Sequence, residues 1–183
     1  KLFKHSLYKN NAEITLKNNK MRVAEPEFAF KLKSDVSSIN KNYKLSDINE
    51  LIESVYPAIE IPDTRLINYS SCGAFQLIAD NACAKYFILG NKYKENLENI
   101  NFNNYEVKIT SGVITHLGNS KNVLKNPLLA LKWLINELNS LNIKLKKNMI
   151  ITTGTCCHPI PIKENQKITA DFGKIGVVNI KVL

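Results

Sequence analysis

The sequence predicts an α+β fold of mixed, curled and layered β-sheets with a few helices, forming a single domain over residues 1–183. Of these 183 residues 44% are hydrophobic, which is enough for a buried core. Predicted strands outnumber predicted helices. Strands and helices do not alternate regularly, which argues against a doubly wound parallel sheet.

Four regular segments are predicted in the first third of the chain: strands at 12–16 and 23–32, a helix at 46–55 and an extended stretch at 56–61. Ser46 is placed to cap the helix, and Asp47 lies near the positive end of its dipole. Residues 75–90 have no clean periodicity, so we expect an irregular segment leading into a strand that ends at Gly90.

The clearest helix follows Asn126, which suits the N-cap position, and Pro127 suits the first helical position. Apolar residues then recur at helical spacing, which predicts a core-facing stripe. They are Leu128, Leu131, Leu134, Ile135, Leu138 and Leu141. Strands are predicted at 104–110, 112–117 and 149–154, and on either side of residues 173–176.

The net charge of +9 invites a nucleic-acid partner. However, only Arg22 and Arg65 are arginines, and arginine is the preferred contact to bases and phosphates. The lysines are scattered among asparagines and isoleucines, without a zinc-finger or helix-turn-helix pattern. We therefore predict no nucleic-acid partner.

The sequence also bears on the compartment. It contains no run of about 18 apolar residues, so we predict no membrane partner. The four cysteines, Cys72, Cys83, Cys156 and Cys157, match no zinc-binding spacing. Free buried thiols are typical of a reducing compartment, so we expect a cytoplasmic protein.

Two glutamates lie within the predicted strand at 23–32. Alternate strand residues point to the same face, so Glu25 and Glu27 share one side, while Phe28 and Phe30 lie on the other. The aromatic residues identify the second face as the core face. Pro26 cannot donate a ladder hydrogen bond, which predicts a sheet edge or an interrupted pairing here.

These carboxylates are candidates for a metal site. Two carboxylates held about 4 Å apart repel by roughly 4 kcal/mol at an effective dielectric constant of about 20. A divalent cation removes this repulsion, and hard oxygen ligands suit magnesium or manganese. Glu60 is a third candidate because it lies in the otherwise apolar run "PAIEI". The alternative is that the three side chains are simply solvated.

Five segments are similar to those of a known family: "RVAEPEFAFKL", "YPAIEIPDTR", "IADNACAKYFILG", "LKNPLLALKWLINELNSLNIKLKKNMIITTGT" and "ADFGKIGVVNIKVL". Together they resemble the fumarylacetoacetate hydrolase superfamily, in particular its 2-keto-4-pentenoate hydratase and 4-oxalocrotonate decarboxylase branch. The resemblance implies a fold like the fumarylacetoacetase C-terminal domain. It also implies that Glu25, Glu27 and Glu60 bind Mg²⁺ or Mn²⁺.

The resemblance further implies a lyase, either a hydratase or a decarboxylase, acting on short 2-oxo or 2-hydroxydienoic acids such as 2-hydroxypenta-2,4-dienoate. A homo-oligomer is typical of the family. One alternative is an acylpyruvate-type C–C bond hydrolase, although Glu60 in place of an aspartate favours the lyase branch. Another is an inactive metal-binding remnant, because the family's N-terminal segment with its Gly-Tyr-Lys motif is not found before Lys1.

Further site residues follow from the same resemblance. Cys83 stands where relatives usually have a serine close to the substrate and is a catalytic candidate, and Asn81 in the same "DNAC" segment is a substrate-binding candidate. Gly154 and Thr155 in "TTGT" are candidates for substrate binding and catalysis. The alternatives are a buried thiol and an ordinary strand-ending turn. His158 is a weaker candidate, for a proton shuttle.

Overall fold

The computed structural model describes residue 2, residues 4–36 and residues 41–183. The helices are α1 (Leu45–Leu51), α2 (Ala74–Ala79) and α3 (Pro127–Ser140). The strands are β1 (Leu7–Lys9), β2 (Ala12–Ile14), β3 (Val23–Leu32), β4 (Ile52–Ile61), β5 (Tyr86–Leu89), β6 (Glu106–Ser111), β7 (Ile114–Asn119), β8 (Ile150–Thr155), β9 (Ile160–Pro161), β10 (Lys167–Asp171) and β11 (Val177–Val182). Short 3₁₀ turns connect several of them.

The strands form two sheets. The first has the order β1-β5-β4-β3-β8, with β9 also paired to β3, and the second has the order β2-β11-β10-β6-β7. The β1–β5 and β2–β11 pairs are parallel and the other pairs are antiparallel. The predicted α+β class with mixed sheets and few helices is confirmed.

The main core contains side chains from both sheets. Phe28 of β3 makes edge-to-face contacts with Phe102, Tyr105 and Phe172, at centroid distances of 5.4, 5.9 and 5.1 Å. Such aromatic pairs contribute about 0.5–1.5 kcal/mol each beyond their buried area. The opposite face of β3 has only a small apolar cluster around Ala29. The prediction that Phe28 lies on the core face is therefore confirmed.

The predicted interruption at Pro26 is also found, although β3 is not an edge strand. On one side β3 pairs with β4 from residue 25 to residue 32. On the other side β9 pairs with residues 23 and 24, and β8 pairs with residues 27–31. Pro26 lies at the junction between these two partners, where the missing N–H is tolerated.

The helix prediction at 46–55 is wrong at both ends. The helix begins after Lys44, whose N–H donates to the Asp47 carboxylate at 2.7 Å, so Ser46 is not the cap. It ends at Leu51, and residues 52–55 are the first part of β4. Pairing with β3, including Phe30 opposite Val55, overrides the local helical pattern there.

Sequence periodicity did not reveal α2, which lies in the segment predicted to be irregular. Its apolar residues Phe75 and Ile78 are 88% and 73% exposed, so the helix has no core-facing stripe to detect. In α3 the N-cap is confirmed, since the Asn126 side chain accepts the Leu128 N–H at 2.8 Å. Leu141 lies beyond the helix and is 60% exposed, so the apolar stripe ends earlier than predicted.

The remaining strand predictions correspond to β2, the β6–β7 hairpin, β8, and the β10–β11 pair. Gly112 in the hairpin turn has a φ of +58°, a conformation that favours glycine. Among the described residues, no helix is sufficiently long and apolar to cross a membrane.

Candidate metal centre

Pairing between β3 and β4 brings the three predicted glutamates together. Glu25 lies directly opposite Glu60, and Glu27 is opposite Ala58, one position along the same face. One carboxylate oxygen of each glutamate lies within 4.8 Å of the others. Two central strands of the first sheet therefore position all three side chains, without a contribution from a flexible loop.

Burial and mutual repulsion disfavour the charged forms of these carboxyl groups. Glu27 is only 2% exposed, and Glu25 and Glu60 are partly buried. Burial, followed by the charge of Glu60, raises the pKa of Glu27. Burial and then the charge of Glu25 raise the pKa of Glu60, and burial raises the pKa of Glu25. In the described part of the chain, no lysine or arginine forms an ion pair with these groups.

The donor set fits a hard divalent cation. Three carboxylates converge, and among the described residues no lysine or arginine pairs with them. A divalent ion would remove both the repulsion and the cost of burying charge. Oxygen ligands suit magnesium, manganese and calcium better than soft metals. The cluster can therefore hold a divalent cation, as the sequence predicted.

Strand β8 supplies hydrogen-bond donors to Glu27. The Thr152 hydroxyl donates to Glu27 Oε2, and the Gly154 N–H donates to the same carboxylate. Both bonds lower the pKa of Glu27 and partly oppose the effect of burial. Sequence reasoning did not identify Thr152, because its proximity to Glu27 depends on the register between β3 and β8.

The structure places Gly154 and Thr155 beside the cluster. Thr155 is opposite Glu27 in the β3–β8 ladder, and Gly154 has a φ of +105°, which favours glycine. The Thr155 hydroxyl donates to the Cys157 carbonyl at 2.9 Å, so it also stabilises the turn that follows the strand. The roles of both residues toward a substrate remain predictions.

Cys83 and Asn81 lie in a turn outside this carboxylate cluster. The Cys83 thiol donates to Asp80 Oδ2 at 3.7 Å. Burial and then the charge of Asp80 raise the pKa of this thiol, and the charge of Arg65 lowers it. Asn81, Ala82 and Cys83 have φ values of +56°, +52° and +61°, three consecutive left-handed residues. Such strain persists only where the surroundings fix it, but a substrate role for Asn81 or Cys83 remains a prediction.

The Asn81–Cys83 turn is attached to the end of β4. The Cys83 carbonyl accepts the N–H of Asp63 at 2.8 Å, and Asp63 lies three residues after Glu60 in the sequence. The carboxylate of Asp63 accepts the Lys20 N–H at 2.8 Å and pairs with Lys85 at 2.6 Å. Asp63 therefore connects three segments of the chain.

Two residues after β8 complete the surroundings. His158 is exposed, and its carbonyl lies 3.0 Å from His116 Nδ1, in keeping with a surface loop. The Cys157 thiol is buried, and burial followed by the charge of Glu25 raises its pKa to about 11. The cysteine prediction, free and mainly buried thiols, agrees with Cys83, Cys156 and Cys157, whereas Cys72 is partly exposed.

The fold is similar to that of several solved enzymes. The 4-oxalocrotonate decarboxylase from Pseudomonas putida G7, complexed with magnesium and adipate, superposes with a TM-score of 0.88 at 22% identity, covering 98% of this chain and 67% of that one. The same enzyme complexed with calcium and acetate gives a TM-score of 0.86 at 21% identity, with coverage of 98% and 66%.

The chain is also similar in sequence to curated hydratases. The 2-oxo-hept-4-ene-1,7-dioate hydratase of Escherichia coli is 27% identical over 163 residues, which is 86% of this chain and 60% of the relative. A 2-keto-4-pentenoate hydratase of Paraburkholderia phymatum is 26% identical over 178 residues, covering 97% and 66%. No protein-family model matches the chain.

These findings confirm the resemblance to the hydratase and decarboxylase branch. Both of these curated relatives are hydratases, and the solved structure from Pseudomonas putida G7 is a decarboxylase. The chain spans only 60% and 66% of the lengths of these two hydratases.

Proposed function

We propose that this chain carries the metal-binding part of a divalent-metal-dependent lyase, a hydratase or decarboxylase, acting on short 2-oxo or 2-hydroxydienoic acids such as 2-hydroxypenta-2,4-dienoate. The convergence of Glu25, Glu27 and Glu60 within 4.8 Å carries the proposal. The hydratase relatives and the fold of a decarboxylase solved with magnesium support it. A homo-oligomer in the cytoplasm remains part of the proposal.

In the proposed mechanism the three glutamates would hold the cation, and Glu27 is the most buried of them. Bound Mg²⁺ or Mn²⁺ would supply a Lewis acid toward the carboxylate and 2-oxygen of the oxo acid. Burial excludes water from Glu27, while Thr152 and Gly154 favour its ionised form. Asn81 and Gly154 are the proposed substrate-binding residues, and Cys83 and Thr155 are the proposed catalytic residues.

The first prediction concerns the ligands. Glu25→Gln, Glu27→Gln and Glu60→Gln remove one anionic donor each, so each variant should bind Mn²⁺ at least about tenfold more weakly than the wild type. Glu106→Gln, an exposed residue on β6, is the matched control and should bind normally. Isothermal titration calorimetry measures the affinities. Wild-type affinity in all three site variants would contradict the proposed site.

The reaction needs a separate assay. The wild-type chain with Mg²⁺ or Mn²⁺ is offered 2-hydroxypenta-2,4-dienoate, 4-oxalocrotonate and acetylpyruvate. Water addition to the first or carbon dioxide release from the second supports the lyase proposal. Cleavage of acetylpyruvate alone would replace it with the hydrolase alternative. Metal binding without turnover of any of the three would favour a metal-binding remnant.

A further inference from the structure

The β3–β8 ladder contains an irregularity next to the acidic cluster. Ala29 is opposite Thr152, and Glu27 is opposite Thr155. Two steps along β3 therefore correspond to three steps along β8, so β8 carries one extra residue. The left-handed φ of Gly154, +105°, lies within this step. An insertion of this kind is a β-bulge, which bends the strand and redirects its side chains.

The bulge presents two donors to one buried carboxylate. The Thr152 hydroxyl and the Gly154 N–H both donate to Glu27. The intervening residue, Thr153, instead donates its hydroxyl to the Phe28 carbonyl at 3.3 Å. Thr152 and Thr153 are both partly buried and both donate hydrogen bonds to β3. Thr152 donates to the Glu27 side chain, whereas Thr153 donates to a main-chain oxygen.

We infer that Thr152 is a positioning residue, which the β8 bulge aims at Glu27 so that this carboxylate is fixed for a divalent cation. The inference rests on the proposed function. Glu27 is almost fully buried and shares its surroundings with two other carboxylates, so the hydrogen bond from Thr152 fixes where its carboxylate lies within the cluster.

The hydrogen bond leaves coordination sites available. An ionised carboxylate has about four lone-pair sites, so Glu27 can accept bonds from Thr152 and Gly154 and still bind a cation. Partners that orient a metal ligand typically change metal affinity by about 10–100-fold when removed. Because Thr152 touches the ligand rather than the cation, its loss should weaken binding without removing a coordinating group.

The test measures Mn²⁺ and Mg²⁺ binding by isothermal titration calorimetry. The dissociation constant for Mn²⁺ should rise about 10–100-fold in Thr152→Val, which keeps the side-chain shape but lacks the hydroxyl. Thr152→Ser retains a hydroxyl, so its dissociation constant for Mn²⁺ should lie within about threefold of the wild-type value. Thr153→Val is the matched control and should bind like the wild type, because its hydroxyl does not touch a ligand.

A second readout separates positioning from a general loss of stability. The Mn²⁺ electron paramagnetic resonance spectrum of bound metal should differ from the wild type in Thr152→Val and remain unchanged in Thr153→Val. If the valine variant does not fold, Thr152→Ala compared with Thr152→Ser provides the same contrast, a hydroxyl absent or present. Thermal melting without metal verifies folding in each case.

The outcomes distinguish the two proposals. Wild-type metal affinity in both Thr152→Val and Thr152→Ala, with weakened binding in Glu27→Gln, would overturn the inference and leave the proposed function intact. Equal losses in Thr152→Val and Thr153→Val would also overturn it, since strand packing would then be the cause. A wild-type chain that binds neither Mn²⁺ nor Mg²⁺ would overturn the proposed function together with the inference.

Discussion

Glu27 differs from Glu25 and Glu60 in both burial and hydrogen bonding. It is the most buried of the three, and it receives donors from β8. Glu25 and Glu60 face each other across the β3–β4 ladder, where like charges are destabilising. A cation shared by the three carboxylates would reduce the repulsion between Glu25 and Glu60 and the cost of burying the charge of Glu27.

The pH dependence of stability should report this arrangement. Without metal, the pKa of Glu60 is raised to about 7 and that of Glu27 to about 8, above the unfolded value of about 4.3. Protonated carboxyl groups are favoured in the folded state, so their contribution is fully present below about pH 4 and is lost as the pH rises through the folded pKa values. The metal-free melting temperature should therefore fall between about pH 5 and pH 8.

The control for this prediction is the variant with glutamine at all three positions, which lacks these titrations and should show a smaller decline over the same range. Saturating Mg²⁺ should raise the wild-type melting temperature most at high pH, because the cation competes with protons. Differential scanning calorimetry gives these values. A wild-type decline no larger than that of the glutamine variant would contradict the pKa shifts.

At the scale of elements, β7 of the second sheet approaches the turn that follows β8 very closely. A Cβ added to Gly118 would lie 2.5 Å from Cys157 Cβ and 2.6 Å from the Cys156 carbonyl oxygen. The Asn119 N–H also donates to that carbonyl at 2.9 Å. This contact attaches the second sheet to the turn beside the acidic cluster.

Gly118→Ala should consequently destabilise the protein by about 1–3 kcal/mol, as is typical when an atom is forced into a packed site. The control is Gly73→Ala, where the new Cβ meets only the end of the Gln76 side chain, at 3.0 Å. Urea unfolding of both variants measures the difference in free energy. Equal stability of the two would show that the turn yields without cost.

Sequence reasoning reached some of these elements and missed others for physical reasons. The alternation of residues in Val23–Leu32 is a local pattern, so the sequence correctly predicted that Glu25 and Glu27 lie on the face of the strand away from the aromatic residues. The end of α1 was wrong because pairing with β3 determines where β4 begins. Thr152 could not be identified because its partner depends on a one-residue insertion in a ladder between distant segments.

For the whole molecule, the core between the sheets is the main source of stability. Phe28 is fully buried, and its ring contacts three aromatic rings of other segments. Its neighbour in sequence is Glu27, the most buried of the three proposed metal ligands. Packing of the core and orientation of the carboxylate are therefore linked through one strand.

Phe28→Ala should reduce the free energy of unfolding by about 3–5 kcal/mol, because it leaves a cavity in this aromatic cluster. Phe75→Ala is the control, and it should change stability by less than about 0.5 kcal/mol since Phe75 is 88% exposed. Chemical denaturation measures both. A small effect of Phe28→Ala would indicate that the cluster rearranges to fill the space.

The placement of the proposed metal ligands on strands and of other proposed site residues in a turn bears on how substrate preference can change. The glutamates proposed to hold the cation lie on paired strands, whereas the proposed site residues Asn81 and Cys83 lie in a turn. Turns tolerate replacement better than the interior of a sheet. New substrate preferences can therefore arise by exchanging the turns, while the inorganic centre is inherited unchanged.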